Sequence, residues 1–195
     1  MRRAGDRVPE RSRAGMMHTL WQTALDRLGL IPMVALATIF VDQATKLAVV
    51  FGLDLINRIE IDVVTPLLVF RMAWNQGMNF GLFGDESEVV RWGLVAVAVA
   101  ISAWVWVWVR RENGGRWTQI AAGLLIGGAM GNVIDRIAYG AVADFINMSC
   151  CGIDNPFAFN VADVAVFAGA LGLVVVTNST GGKGQPKPRK RRKTP

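Results

Sequence analysis

The chain has 195 residues, 52% of them hydrophobic, and a formal net charge of +6. Its mean hydropathy is +0.35, and its apolar residues fall in four long segments with too few polar helices to cover them, which excludes an ordinary soluble domain. The basic charge lies mainly in polar end segments that cannot bury a core and that suit anionic lipid headgroups, so it does not indicate nucleic-acid binding.

Each of the four apolar segments has close to the ~20 residues that a helix needs to cross a bilayer. They comprise residues 30–51, 89–109, 118–134 and 159–176. The second is the cleanest, because its 21 residues at a rise of ~1.5 Å span ~31 Å, about one bilayer core. The pattern predicts an all-α membrane protein with four transmembrane helices.

Basic residues define the expected orientation of these helices. Sixteen of the 21 lysines and arginines lie in residues 1–28, 110–116 or 178–195, and the positive-inside rule makes that side cytoplasmic. Both termini are then cytoplasmic, as an even number of spans requires. We therefore predict a basic, disordered N-terminal segment (1–28), a four-helix membrane domain (29–177) and a basic, disordered tail (178–195).

The first helix carries Asp42 and Lys46, whose i, i+4 spacing puts an acid and a base on one face. The pair is either a structural salt bridge or a support for a functional site. Beyond this helix, apolar residues alternate with polar ones, at Ile59, Ile61, Val63, Leu68, Phe70, Met72 and Trp74. This alternation predicts a small extracytoplasmic β-sheet between the first and second helices, apolar on one face and followed by a loop of turn-forming residues.

Small residues recur every fourth position along the third helix, at Gly123, Gly127 and Gly131. This spacing lets another helix backbone approach closely. At the outer end of the helix, Asn132, Asp135 and Arg136 share a face by their i, i+3 and i+4 spacing. Asn160 and Asp163 repeat the i, i+3 spacing in the fourth helix. If the two helices pack together, two asparagines flank the acidic residues and orient them.

Cysteine and histidine usage restricts the possible chemistry. Cys150 and Cys151 are adjacent in an outer loop, and a disulfide between neighbours is difficult to close across a trans peptide. We expect two free thiols, which also lack the spacing of a four-ligand metal site. His18 is the only histidine and lies on the cytoplasmic side, so Ser–His and Cys–His catalysis and His-ligated zinc are removed from the outer face.

Asp144 and Asp163 are carboxylates in a part of the chain where the membrane disfavours them. An ionisable group at membrane depth costs about 2.5–3.5 kcal/mol on insertion scales, so it usually marks a functional site. Two carboxylates that share a site hold one proton between them. The ionised member can take a proton from water while the protonated member polarises a carbonyl. The pair therefore predicts a hydrolase.

Two other hypotheses stay open on the residues alone. The same acids could couple proton or ion movement in a small transporter, although four spans without an internal repeat make this less natural. A Ser–Lys peptidase could use Lys46 with Ser87 or Ser149, although neither serine lies in a recognisable motif.

Five ordered blocks of the sequence resemble the bacterial lipoprotein signal peptidase family (signal peptidase II). They are residues 42–46 (DQATK), 75–81 (NQGMNFG), 127–136 (GGAMGNVIDR), 142–145 (VADF) and 159–163 (FNVAD). The resemblance spans roughly residues 30–176. It implies a four-helix aspartic endopeptidase of the inner membrane with an extracytoplasmic sheet. Such an enzyme cleaves signal peptides from prolipoproteins whose target cysteine already bears diacylglycerol.

The resemblance also implies roles for individual residues. By motif position, the catalytic aspartates are Asp144 and Asp163. The substrate-binding or site-supporting residues are Asp42, Lys46, Asn75, Gly77, Asn132, Asp135, Arg136 and Asn160. Two departures from the family pattern, Met78-Asn79 before Phe80 and Val164 after Asp163, remove no catalytic group.

We therefore predict a monomeric aspartic endopeptidase that removes signal peptides from diacylglyceryl-modified prolipoproteins. Its active site is expected at the periplasmic face of the inner membrane. Its expected partners are these substrates and membrane lipids, without nucleic acid, and it is expected to need no metal or other cofactor.

Overall fold

The computed structural model of the protein describes residues 29–65, 67–77, 87–150 and 155–181. The helices are α1 (Leu30–Lys46), which continues as a π-helical segment (Leu47–Gly52), then α2 (Leu55–Arg58), α3 (Ser87–Arg111), α4 (Arg116–Tyr139) and α5 (Val161–Gly181). The strands are β1 (Glu60–Val64), β2 (Leu68–Asn75) and β3 (Val142–Asn147). The predicted disordered N-terminal segment, most of the tail, and Met78-Asn79 lie outside the described residues.

Three helices among the described residues are long and apolar enough to cross a membrane: Leu30–Gly52, Glu88–Arg111 and Arg116–Tyr139. The fourth predicted span, in α5, has a shorter apolar stretch, Val161–Thr177. A mostly helical membrane protein with a small sheet is thus confirmed, while the fourth crossing stays a prediction. α5 begins at Val161 rather than at Phe159, because the side chain of Asn160 caps it.

The sheet differs from its prediction in one respect. Its three antiparallel strands have the order β1-β2-β3, and β3 comes from the connection between α4 and α5 rather than from the stretch between α1 and α3. All but one residue of β3 are buried. A strand buried on both faces lacks the apolar–polar alternation that identified β1 and β2, so the sequence pattern missed it.

The packing of β1 and β2 follows the predicted alternation only in part, because Ile59, Val63 and Trp74 are exposed. Ile61, Phe70 and Met72 lie against a small core that is formed by the end of α1, α2 and β3. The buried members of this core are Val50, Leu55, Ala143 and Phe145. On β3, Asp144 pairs with Ala73 of β2. The register of the two strands shifts between Phe70 and Ala73. The sheet thereby holds Asp144 close to the end of α4 and the start of α5.

Helix α4 packs against both α1 and α5, and its glycines permit the close approach that their spacing predicted. A Cβ atom at Gly127 would lie 2.6 Å from the carbonyl oxygen of Ala35 in α1. On the opposite side, a Cβ atom at Gly128 would overlap the carbonyl oxygen of Ala162 in α5. These contacts bring the helix that bears Asn132 and the helix that bears Asp163 together.

We expect Gly127→Ala to lower the thermal midpoint of the detergent-solubilised protein, because the new methyl group meets backbone that cannot rotate away. Overpacking of this kind typically costs about 1–3 kcal/mol. Gly93→Ala is the matched control, because nothing lies within 4 Å of a Cβ atom built there. Equal midpoints for the two variants in thermal unfolding would contradict the predicted helix contact.

Cys150 is disulfide-bonded in the structure, so the expectation of a free thiol at this position is wrong. The argument from adjacency along the chain did not exclude a disulfide there. Cys151 lies outside the described residues.

Candidate active site

Asp144 and Asp163 come together near the end of α4 and the start of α5, although 18 residues separate them along the chain. The side chain of Asn160 connects them. Its amide nitrogen donates to Asp144 Oδ1 at 2.6 Å, and its Oδ1 accepts the backbone N–H of Asp163 at 2.9 Å. The predicted pairing of the two acids is thus present in the fold.

Asp144 is held by one amide donor on each carboxylate oxygen. Asn160 donates to Oδ1, and the Nδ2 of Asn75 donates to Oδ2 at 3.0 Å. The residue is only 3% exposed. Burial, and then the negative charge of Asp163, raise the pKa of Asp144 to about 6, against the opposing effect of the two donated hydrogen bonds. A carboxyl group with this pKa can hold a proton near neutral pH.

Asp163 takes its orientation from the start of α5. The backbone N–H of Asn160 donates to Asp163 Oδ2 at 3.3 Å, while Asn160 Oδ1 accepts the N–H of Asp163. This reciprocal exchange is the geometry of a capping box, and it explains the i, i+3 spacing of the two residues. From α4, Asn132 Nδ2 donates to Asp163 Oδ1 at 2.8 Å.

Beneath the pair lies a buried network of charges that joins α1 to α4. Lys46 Nζ lies 2.8 Å from Asp42 Oδ2 and 2.7 Å from Asp135 Oδ2. Gln43 Nε2 also donates to both acids, at 3.1 Å and 2.9 Å. Gln43 lies inside the first resemblance block, but its role was missed because the helical spacing of charges identifies only Asp42 and Lys46.

The network reaches the aspartate pair through the backbone. Asp42 Oδ1 accepts the N–H of Ala162 at 2.9 Å, and Asp135 Oδ2 accepts the N–H of Ala143 at 3.1 Å. Ala162 and Ala143 are the residues immediately before Asp163 and Asp144. Each buried acid therefore fixes the main chain of one member of the pair.

Gly77 lies two residues after the end of β2, next to Asn75 of the site. Its N–H donates to Asn75 Oδ1 at 2.9 Å, which orients the same side chain that binds Asp144. Its φ of +95° is a conformation that favours glycine, and a Cβ atom there would lie 2.7 Å from Leu94 of α3. Gly77 thus fits both the turn and the close contact with α3.

Arg136 and Asp135 do not act as one pair. Asp135 binds Lys46, whereas Arg136 is half-buried and its Nη1 donates to the carbonyl of Asn132 at 3.3 Å. Among the described residues, the Nε of Arg136 is buried without a hydrogen-bond partner. The end of α4 is also held by Arg91 of α3, which donates to the carbonyl of Arg136 at 2.7 Å. The sequence pattern carried no signal for Arg91.

The Ser–Lys hypothesis finds no support in this arrangement. Lys46 is 6% exposed at its side chain and is bound by two carboxylates, so it cannot serve as a free base. Ser149 Oγ accepts the N–H of Asn155 and donates to Asn147, away from Lys46. The side chain of Ser87 lies outside the described residues.

The fold and the site together define a membrane protein with two neighbouring carboxylates held by asparagines, and comparisons with known proteins identify its family. The profile of the family described as signal peptidase (SPase) II matches residues 34–178. A lipoprotein signal peptidase of Methylorubrum extorquens (strain PA1) is 45% identical over 149 residues, 76% of this chain and 84% of the relative. One of Methylobacterium radiotolerans is 41% identical over 171 residues, 84% of this chain and 97% of the relative.

The fold is also similar to a solved structure described as a bacterial membrane enzyme, determined by the in meso method at 2.3 Å resolution. That structure has a TM-score of 0.62 and 24% identity, and the match covers 80% of this chain and 93% of that one. The chain belongs to the signal peptidase II family. Family membership leaves the transporter hypothesis without support.

Proposed function

We propose that the protein is an aspartic endopeptidase that removes signal peptides from prolipoproteins, with Asp144 and Asp163 as its catalytic residues. The observation that carries this proposal is that Asn160 donates to both carboxylates, to Asp144 from its side-chain amide and to Asp163 from its backbone N–H. A further asparagine donates to each carboxylate as well. Such contacts fix the direction of both carboxylates and leave lone pairs on each for water and substrate. The names of the relatives supply the substrate class.

The proposed chemistry follows from one shared proton. The ionised carboxylate takes a proton from a water molecule, whose oxygen attacks the scissile carbonyl carbon. The protonated carboxyl group donates a hydrogen bond to the carbonyl oxygen and stabilises the charge that develops there. Transfer of a proton to the leaving nitrogen then breaks the C–N bond and restores a pair with one proton. The two roles belong to the pair as a whole rather than to either residue alone.

The membrane arrangement supports access of a lipid-bound substrate. Below Asp163, the same face of α5 continues with Phe167, Ala170 and Val174, at i+4, i+7 and i+11. Phe167 is 72% exposed and Val174 is 57% exposed. An exposed apolar stripe that leads to a carboxylate suits a peptide that reaches the site from the hydrocarbon.

The finer assignments form part of the proposal. We assign residues 29–177 to the peptidase domain, with α5 as a fourth span, both termini in the cytoplasm and the site at the periplasmic face of the inner membrane. We assign the substrate as a prolipoprotein already modified with diacylglycerol, and the active form as a monomer.

A processing assay tests the proposal directly. The purified protein in lipid vesicles should cleave a diacylglyceryl-modified prolipoprotein and leave its unmodified precursor intact. The same vesicles, loaded with a pH-sensitive dye, test for proton flux. Flux without cleavage would overturn the proposal and restore the transporter hypothesis.

The pH dependence of cleavage should report the raised pKa of Asp144. Because the pair needs one proton, we expect the rate to fall as pH rises above about 6, when the proton is lost. The hydrogen bond from Asn75 lowers the pKa of Asp144, so Asn75→Ala should move this alkaline limb to higher pH. The measurement is the pH profile of kcat/KM for both proteins. A limb that stays in place or moves to lower pH in the variant contradicts the assignment.

A further inference from the structure

Asn147 is a buried polar residue that the proposed chemistry does not use. It is the last residue of β3, three positions after Asp144, and it is 2% exposed. Its Nδ2 donates to the carbonyls of Asn155 at 2.7 Å and Phe157 at 2.9 Å. One buried amide group therefore ties the strand that bears Asp144 to the chain that returns toward Asp163.

Neighbouring side chains complete this arrangement. Ser149 Oγ donates to Asn147 Oδ1 at 3.3 Å and accepts the N–H of Asn155 at 3.0 Å. Asn155 Oδ1 accepts the N–H of Phe157 at 3.0 Å, and its Nδ2 donates to the carbonyl of Met148 at 3.2 Å. We call Asn147, Ser149 and Asn155 the asparagine clasp. Residues 151–154 lie outside the described part of the chain and are not part of it.

The clasp lies shortly before Asn160 along the chain. After Phe157 the chain returns to β3, where Phe159 and Ile146 exchange hydrogen bonds of 3.0 Å and 2.8 Å. The next residue is Asn160, whose side chain binds Asp144 and caps the helix of Asp163. The position of Asn160 thus depends on how residues 155–159 bind to β3.

We propose that Asn147 is a positioning residue for catalysis. By its bonds to Asn155 and Phe157 it fixes Asn160, and hence the geometry of the Asp144–Asp163 pair. The inference rests on the proposed function. It predicts a lower rate of the chemical step rather than weaker substrate binding, because the clasp residues contact the part of the chain that precedes Asn160. A displacement of about 1 Å in a catalytic group can cost about 100-fold in rate.

The test compares kcat and KM for cleavage of a diacylated prolipoprotein peptide by the full-length protein in vesicles. Asn147→Asp keeps the shape of the side chain but removes both donors to the two carbonyls. We expect its kcat to fall by about 10- to 100-fold with KM within about threefold of wild type. Ser149→Ala keeps both donors of Asn147, and we expect a smaller fall in kcat with the same unchanged KM.

A stability control separates positioning from a general loss of folding. Val109→Ala removes buried volume at the opposite end of the helices and lowers the thermal midpoint without touching the clasp. We expect it to leave kcat unchanged under conditions where it is folded. A folded Asn147→Asp protein with wild-type kcat, or with a loss in KM alone, would overturn the inference.

The remaining outcomes are also decisive. If Asn147→Asp does not accumulate in the membrane, Asn147→Ser takes its place, because its hydroxyl can donate to only one of the two carbonyls. A folded Asn147→Ser protein with wild-type kcat overturns the inference. If the wild type cleaves the substrate and the clasp variants have the same kcat, the positioning role of the clasp is rejected and the proposed function stands. Absence of cleavage by wild type rejects the proposed function and the inference with it.

Discussion

Asp144→Asn and Asp163→Asn should each abolish prolipoprotein cleavage while the protein still inserts into the membrane. Asparagine has nearly the same shape as aspartate, but it can neither take a proton from water nor share one. General acid–base catalysis contributes about 10²- to 10⁴-fold, and loss of the shared proton removes both halves of it. The measurement is the initial rate of cleavage of a diacylated substrate, with membrane fractionation to show insertion.

Asp62→Asn provides the matched control for these variants. Asp62 is an exposed carboxylate on β1 of the same sheet, and it should leave the cleavage rate unchanged. Normal processing by either Asp144→Asn or Asp163→Asn would reject the catalytic assignment. An equal loss in Asp62→Asn would show that Asp144→Asn acts through the sheet rather than through the chemistry.

Lys46→Met should have the largest effect on stability. Among the described residues, Lys46 is the cation that bonds both Asp42 and Asp135, whose side chains are fully buried. Breaking a buried ion pair by removing one partner typically costs about 3–5 kcal/mol, because the remaining charge is left without compensation. Cleavage should fall as well, because the two acids hold the backbone directly before Asp163 and Asp144, the proposed catalytic pair.

A second substitution distinguishes lost charge balance from lost packing. Lys46→Met combined with Asp135→Asn removes one negative charge and should recover part of the thermal midpoint in detergent. The surface pair Arg71–Glu60 serves as the control, because its side chains are 43% and 47% exposed. Arg71→Met should cost at most about 1 kcal/mol. A midpoint for Lys46→Met no lower than that of Arg71→Met would contradict the role of the buried network.

Regular spacing is what made much of the site predictable from the sequence. Asp42 with Lys46, and Asn160 with Asp163, lie one helical turn apart, and the structure uses each spacing directly, as an ion pair and as a helix cap. The positive-inside rule and the apolar segments then gave both aspartates the same expected side of the membrane. Helical periodicity is a local property, and it survives in any fold that keeps the helix.

Contacts that depend on distant parts of the chain could not be predicted in this way. Strand β3 is buried on both sides, so it lacks alternation, and its partner β2 lies some 70 positions earlier, as the Asn75–Asp144 contact illustrates with a separation of 69. Gln43, Arg91 and Asn147 are ordinary polar residues in the sequence. Only the folded chain shows which carbonyls and carboxylates each of them meets.

The buried charge network holds main-chain amides rather than the side chains of Asp144 and Asp163 themselves. Asp42 and Asp135 bind the N–H groups of Ala162 and Ala143, and these groups are the same whatever residue follows them. An inactive protein with asparagine at both 144 and 163 should therefore keep the backbone geometry of the site. It would be suited to capturing an uncut precursor, and so to visualising how a lipid-bearing peptide enters from the bilayer.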